Sequence, residues 1–224
     1  MNILLIGGSG RLMDSMILKL RKEGHRVFLL TGDKYRHNKY QKVFERYDFS
    51  YDCENLNDIL DSVNADVTIL MGAFDTNYNW NGEERETVHF MSHLVNILVA
   101  SSVAGKGRVI FLSSDEIYSG NYANDIEEDE PFSGSGQKAD TLSQAEEMCE
   151  NFRLNRNMDI VVLRLDHLYG IPKEKKDVDN IVSRMCLECM KDGHIKAELD
   201  HTFSVLDEKD AVEYIYQIVK TGHH

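Results

Sequence analysis

The first 31 residues contain the pattern that most restricts the fold of this chain. Residues 2–6 form a short apolar run, residues 12–22 carry apolar side chains at helical spacing, and residues 26–30 form a second apolar run. A strand, a helix and a strand within about 30 residues make a β–α–β unit, in which the two strands run parallel. The chain therefore begins as an α/β fold.

The same alternation continues along the chain. Strands are predicted at residues 66–71, 108–112 and 159–165, and helices at residues 84–103, 143–155, 178–191 and 209–220. Apolar strands that alternate with helices are typical of a parallel sheet covered on both faces. We expect a doubly wound, Rossmann-like α/β sheet, in which ligands bind beyond the carboxyl ends of the strands.

Composition restricts the setting in which the protein works. The 224 residues suit one domain of this class, and their net charge of −13 disfavours nucleic acid and anionic membranes as partners. No uninterrupted apolar run approaches the roughly 20 residues of a membrane span. Four scattered cysteines indicate reduced thiols. We expect a cytoplasmic protein.

Two residue pairs have spacings that also occur in metal sites. They are Cys186 with Cys189, and His89 with His93, each within a predicted helix. Zinc takes about four ligands, and no further ligand accompanies either pair in the sequence. We interpret all four side chains as helix-face residues and predict no metal site.

The segment between the first strand and the first helix is rich in glycine. It reads IGGSGRLM over residues 6–13. Glycines let the backbone turn tightly and approach a pyrophosphate, while the N–H groups and dipole of the helix favour negative charge. We predict a dinucleotide site at Gly7, Gly10, Arg11 and Leu12, with a structural turn as the alternative. Met13 stands where the usual pattern has a third glycine.

The end of the second strand bears on the choice of cofactor. Thr31 stands there, at the place where an acidic residue binds a ribose 2′-hydroxyl in NAD-binding proteins. Asp33 could bind that hydroxyl, whereas Lys34 and Arg36 would favour the 2′-phosphate of NADP. The choice between NAD and NADP stays open, and an unliganded surface turn is a further alternative.

With these motifs the chain resembles the extended short-chain dehydrogenase/reductase family, which includes the nucleotide-sugar epimerases and dehydratases. The most specific segment is FLSSDEIY over residues 111–118, and ADVTILMGA over residues 65–73 and RLDHLYG over residues 164–170 are similar to family segments. The resemblance implies a nucleotide-sugar substrate and an NAD(P) cofactor contacted by Asp52, Gly72 and Ala73. Family members are usually longer, so we expect a curtailed substrate cap near residues 171–204.

The resemblance also implies catalytic roles for three consecutive residues. The family residue that matches Ser114 hydrogen-bonds the sugar oxygen that is oxidised or reduced. In the glucose 4,6-dehydratases, the residues that match Asp115 and Glu116 act as acid and base in water elimination. Crowding two carboxylates separates their pKa values, as such work requires. The alternative is that both carboxylates only cap the turn.

The tyrosine and lysine on which the family relies are both replaced. Asp140 stands at the position of the tyrosine, and Gln144 stands at the position of the lysine. A carboxylate is an anion at neutral pH and donates no proton, and an amide carries no positive charge. Tyr118, Tyr122 and Lys138 are the nearby candidates to take over.

These observations leave two classes of function open. The first is an NAD(P)-binding protein of the epimerase/dehydratase type. The second is a non-catalytic sensor or scaffold that binds a dinucleotide and reports its presence to a partner. A third possibility is one domain of a larger enzyme.

Helices at residues 84–103 and 141–155 match those that form the dimer interface in the family, so we expect a homodimer.

Overall fold

Six parallel strands form the central sheet of the computed structural model, which describes residues 1–8, 10–31, 45–48, 53–80, 84–105, 107–118, 126–170, 181–194 and 204–221. The strands are β1 (Asn2–Ile6), β2 (Arg26–Thr31), β3 (Glu45–Asp48), β4 (Val67–Leu70), β5 (Arg108–Ser114) and β6 (Ile160–Leu165). Their order across the sheet is β3-β2-β1-β4-β5-β6. The order reverses between β1 and β4, which opens a crevice at the carboxyl ends of these strands. The predicted doubly wound α/β sheet is confirmed.

Helices cover both faces of the sheet. They are α1 (Arg11–Lys22), α2 (Cys53–Val63), α3 (Glu84–Ala104), α4 (Gln137–Arg156), α5 (Ile181–Asp192) and α6 (Glu208–Lys220). Helices α1 and α6 pack on one face, and α2, α3 and α4 pack on the other. Alternate residues of a strand point to opposite faces, so Ile3 and Leu5 of β1 meet α1 and α6 whereas Leu4 and Ile6 meet the other layer. Burial on both sides explains the continuous apolar runs.

Helix α4 begins earlier than the apolar pattern predicted. The pattern placed its start at residue 143, whereas the helix begins at Gln137. Its first turn contains the polar residues Gln137, Lys138 and Asp140, which give little periodic signal. The positions matched to the family's tyrosine and lysine therefore both lie on α4.

A second, smaller sheet lies next to the main one. Strand β7 (His167–Tyr169) pairs in parallel with β8 (Val205–Asp207). The side chain of Asp207 then begins α6, because its Oδ1 accepts the N–H of Lys209 at 2.8 Å. Of the predicted cap at residues 171–204, only α5 and the residues just after it are described up to residue 194, together with residue 204. The assignment of this region to a cap stays a prediction.

Helix α3 is long and apolar enough to cross a membrane by length and composition alone. The segment Arg85–Ala104 has a mean hydropathy of 1.3, because few charges interrupt it. Polar residues stand among its apolar ones, so the sequence shows no uninterrupted apolar run there. Phe90, Leu94 and Leu98 of this helix are buried against the sheet, and a core helix passes the same test.

Candidate functional site

The glycine loop after β1 packs against the loop that follows β4. Gly7 has φ +138°, and a Cβ atom there would lie 2.7 Å from the Cβ of Met71 and 2.9 Å from Oδ2 of Asp75. A Cβ atom on Gly8 would lie 2.3 Å from Oγ1 of Thr76. The protein's own packing therefore requires both glycines, whether or not a ligand binds.

Gly10 differs from the other two glycines of this loop. It is the N-cap of α1, with φ −65° and no capping hydrogen bond from a side chain. A Cβ atom there would make only ordinary contacts, the nearest at 3.5 Å from Cγ2 of Thr76. Packing does not require this glycine, and its missing side chain leaves room in front of the N–H groups of α1. The arrangement fits an anionic group such as a pyrophosphate.

The other predicted residues of this loop contribute through the backbone. The side chain of Arg11 turns away from the crevice, since its Nε lies 3.2 Å from Oε2 of Glu208 and its Nη1 donates to the carbonyl of Gly170 at 2.8 Å. Leu12 is buried in the core. Their N–H groups in the first turn of α1 are the atoms that could meet a phosphate. Met13, at the position of the usual third glycine, is also buried there.

The predicted cofactor residues after β2 and β4 are buried. Gly72 has φ +50°, and a Cβ atom there would lie 2.0 Å from the carbonyl oxygen of Leu112 in β5. Ala73, the next residue, is buried in the core.

At the end of β2, Thr31 is 1% exposed, and its Oγ1 has no hydrogen-bond partner among the described residues. An orphaned hydroxyl at this strand end is consistent with a polar ligand beside it. Asp33, Lys34, Arg36, Asp52 and Tyr122 lie outside the described residues.

Asp75 joins the glycine loop to the loop after β4, and no sequence motif marks this residue. It accepts the backbone N–H of Asn77 at 2.8 Å and that of Gly8. Burial raises the pKa of this carboxyl from 3.8 to about 6, and the hydrogen bonds offset only part of that rise. The backbone N–H of Gly8, in the glycine loop, therefore already binds the carboxyl group of Asp75.

A small cavity of about 30 Å³ lies beside Asp75, and His93 of α3 lines it. The His93 ring is hydrogen-bonded to the Tyr78 hydroxyl through Nδ1. Burial, helped by the neighbouring His89, lowers the pKa of His93 to about 4, so its ring is neutral at pH 7. His93 is thus a buried packing residue. In the described part of the chain, no three His, Cys, Asp or Glu side chains are grouped so that they could hold a metal ion.

We expect Asp75→Asn to flatten the pH dependence of folding stability. The pKa of about 6 in the folded protein exceeds the ordinary value of 3.8, so stability falls as pH rises through this window. Relative to the variant, the wild type should lose about 1.4 kcal/mol between pH 5 and pH 8. Urea unfolding of both proteins at the two pH values measures the difference. Equal losses in both proteins would contradict the raised pKa.

The second half of the site lies at the carboxyl ends of β5 and β6. Ser114 Oγ donates to Asp115 Oδ1 at 3.0 Å, and the other oxygen of that carboxylate lies 3.1 Å from Nδ1 of His167. Glu116 Oε1 lies 2.7 Å from the ammonium group of Lys138. The structure therefore brings the three predicted catalytic residues together and adds a histidine and a lysine. The sequence placed His167 in a family-like segment without indicating this contact.

Tyr118 and Lys138, which the sequence suggests as candidates for the role of the family's tyrosine and lysine, both bond to other residues of the chain. Tyr118 is 6% exposed, and its hydroxyl donates to the carbonyl of Glu128 at 3.2 Å. The same hydroxyl accepts a hydrogen bond from the Arg164 guanidinium. Burial raises the pKa of Tyr118 despite that guanidinium. Arg164 also pairs with the buried Glu146 at 2.7 Å. Tyr118 is therefore part of a buried polar network. Lys138 is paired as described above.

Asp140 and Gln144 lie on the exposed side of α4. The buried side of that helix faces the sheet through Ala139, Leu142 and Ala145. One helical turn separates the aspartate from the glutamine, as the spacing of a tyrosine–lysine pair requires. The two positions therefore have the spacing of such a pair, and their assignment to the family's tyrosine and lysine stays a prediction.

The sheet order and the glycine loop together define a Rossmann-like protein. A model of the NAD dependent epimerase/dehydratase family matches residues 3–224, so the chain belongs to this family. No curated protein sequence matches the chain significantly.

Solved structures with the same fold include nucleotide-sugar enzymes and an amino-acid dehydrogenase. UDP-glucose 4-epimerase from Thermotoga maritima, solved with UDP-glucose, superposes with a TM-score of 0.79 and 19% identity over 99% of this chain and 74% of that one. dTDP-glucose 4,6-dehydratase from Bacillus anthracis, solved with NAD, gives 0.81 and 14% over 100% and 73%. L-threonine dehydrogenase from Cupriavidus necator gives 0.84 and 14% over 99% and 73%. At these identities the likeness shows the fold alone.

Proposed function

We propose that this protein binds NAD(P) and catalyses an oxidoreduction on a nucleotide sugar. The observation that carries the proposal is Gly10, which keeps the N-terminus of α1 open although the protein's own packing does not require it. Membership of the epimerase/dehydratase family and the structures solved with NAD and UDP-glucose support it. When bound, the nicotinamide supplies the acceptor or donor of the hydride.

The chain's own residues then bind and orient the two ligands. The N–H groups of Arg11 and Leu12 would hold the pyrophosphate, and Thr31 at the end of β2 would contact the adenosine ribose. We assign Ser114 to the sugar oxygen, next to the carboxylates of Asp115 and Glu116. We further propose that Asp140 and Gln144 leave the ordinary tyrosine–lysine mechanism without its proton donor and its cation.

Calorimetric titration with NAD⁺, NADH, NADP⁺ and NADPH tests the proposal. We expect binding of at least one of the four, and the ratio between NAD and NADP forms settles the choice of cofactor. No binding at about 1 mM, a standard free energy weaker than about −4 kcal/mol, would exclude the proposal. Incubation of the loaded protein with UDP- and dTDP-sugars, followed by NMR of the products, tests turnover.

The replaced pair also favours a second function. A protein that needs its dinucleotide only as a signal keeps the binding loop and loses the catalytic side chains, and Asp140 and Gln144 fit that description. Binding without turnover of any sugar nucleotide in the panel would favour this sensor or scaffold. Turnover gained by the double variant Asp140→Tyr, Gln144→Lys would point to descent from an active enzyme.

We also propose that the protein is a cytoplasmic homodimer. Val88, Val99 and Val103 are exposed on one side of α3, opposite the residues that meet the sheet, and a second copy would cover them. Light scattering should give twice the monomer mass for the wild type and the monomer mass for Val99→Asp with Val103→Asp. A dimer that survives the double substitution would place the interface elsewhere. The free thiols of Cys149, Cys186 and Cys189 suit a reducing compartment.

A further inference from the structure

We propose that His167, oriented by Asp115, exchanges the substrate proton in this site in place of the missing tyrosine. The proposal rests on the proposed function and adds to it the group that does the proton transfer. The geometry carries it. One carboxylate accepts Ser114 Oγ on its first oxygen and His167 Nδ1 on its second, at 3.0 and 3.1 Å. The histidine is therefore tied to the residue that is assigned to the sugar oxygen.

A carboxylate on Nδ1 has a known effect on a histidine. It fixes the orientation of the ring and the tautomer, so that the other nitrogen, Nε2, exchanges protons. His167 is the first residue of β7, directly after β6, so the imidazole stands at the carboxyl edge of the sheet where ligands bind. Its side chain is 40% exposed, whereas the serine beside it is buried. A substrate in the crevice can therefore reach the ring.

The charges around the imidazole suit a proton-exchanging group. Asp115 faces it from the turn after β5, followed by Glu116, while Lys138 faces it from α4 and Asp166 precedes it in the chain. The hydrogen bond to Asp115 raises the pKa of His167, burial and Lys138 lower it, and Glu116 adds to the rise. The pKa of Asp166 is also raised, by burial and by the charge of Asp115. The net effect is that the pKa of His167 is raised above the ordinary value of a histidine, with the hydrogen bond to Asp115 as the largest cause. Histidine is the side chain that most often serves as a general acid or base.

Other groups near Ser114 suit the task less well. Tyr118 has a buried hydroxyl that is bonded within the network of Arg164 and Glu146. Lys138 holds Glu116. Asp140 is exposed to solvent on α4.

In the oxidation direction, Nε2 of neutral His167 takes the proton of the substrate hydroxyl. The hydride on the same carbon passes to the nicotinamide of NAD(P)⁺, and the C–O bond becomes a carbonyl. The imidazolium that forms is stabilised by the Asp115 carboxylate. Reduction returns the same proton and hydride to the two atoms.

The experiment combines three measurements on the full chain. The variants are His167→Gln, Asp115→Asn and, as a matched control, His25→Gln, because His25 lies directly before β2 at the opposite edge of the sheet. Calorimetry measures binding of the dinucleotide that the wild type prefers. NMR follows the titration of the His167 ring. Turnover of the UDP- and dTDP-sugar panel is measured from pH 5 to pH 9.

We expect His167→Gln to bind the dinucleotide within about 3-fold of the wild type and to lose about 10²- to 10⁴-fold in kcat. His25→Gln should leave both values unchanged. In the oxidation direction the wild-type rate should rise with pH through the pKa of His167, since the neutral ring is the base. Asp115→Asn should lower that pKa in the NMR titration, and the rising limb of the rate profile should move to lower pH with it.

Each contrary result has a separate meaning. If His167→Gln keeps its kcat within about 3-fold, or its rising limb is unchanged, the proposal for His167 is wrong while the proposed function stands. If the wild type binds a dinucleotide but turns over none of the panel, the proton-transfer role is overturned and the sensor function is favoured. If no dinucleotide binds, the proposed function and this inference both fail.

Discussion

Gly10→Asp should abolish dinucleotide binding without destabilising the fold. The backbone of Gly10 is extended, with φ −65° and ψ 173°, and the nearest atom to a Cβ there is 3.5 Å away, so the side chain fits. Aspartate is a preferred N-cap residue, and it should stabilise α1 by about a few tenths of a kcal/mol relative to glycine. Its carboxylate would accept the N–H groups that a pyrophosphate needs and would repel its charges.

The expected loss of affinity is about 100-fold or more, since about 3 kcal/mol of repulsion is available to two charges close together at a protein surface. Calorimetry with the preferred dinucleotide measures it, and urea unfolding checks the fold. Leu18→Asp is the matched control, because Leu18 is exposed further along the same helix and its substitution adds an equal charge. The control should bind as the wild type does.

A Gly10→Asp variant that binds the dinucleotide with the affinity of the wild type would show that the cofactor does not lie on the N-terminus of α1. The glycine loop would then be a structural turn, which is the alternative that the sequence left open. Gly7 and Gly8 cannot make this distinction. Substitutions there would collide with Met71, Asp75 and Thr76, and would disturb the loop with or without a ligand.

The features that could be predicted from the sequence are those with local signals. Apolar runs and helical spacing located the parallel sheet, and the glycines located the turn before α1. The first turn of α4 was missed because it is polar, and the strands β7 and β8 because they have only three residues each. Short strands of this kind are stabilised by pairing with each other, which periodicity does not reveal.

The contacts that shape the site are long-range, and this is why the sequence did not reveal them. Asp115 and His167 are 52 positions apart, and Asp75, in the loop after β4, accepts the N–H of Gly8, in the loop after β1. From the sequence alone, each of these residues is equally compatible with an ordinary role in a turn or a loop. Only the fold brings the carboxylate to the imidazole, or the buried carboxyl to the glycine loop.

Gly72→Ala should be the most destabilising of the substitutions considered for this site. A Cβ atom there would lie 2.0 Å from the carbonyl oxygen of Leu112, which belongs to the rigid backbone of β5. Its φ of +50° adds the cost of a left-handed conformation, about 1 kcal/mol for alanine. Because neither strand can move without disturbing the sheet, we expect a loss of about 3–5 kcal/mol in the free energy of unfolding.

Gly24→Ala separates the two causes of that loss. Gly24 also has a left-handed backbone, with φ +83°, but a Cβ atom there would meet nothing within 4 Å. Its substitution should cost about 1 kcal/mol, so the excess for Gly72→Ala measures the collision with β5. Urea unfolding gives both values. Similar losses in the two variants would show that β5 yields to the new methyl group. In that case the Gly72→Ala variant would be folded, and measuring its dinucleotide binding would test a cofactor contact at Gly72.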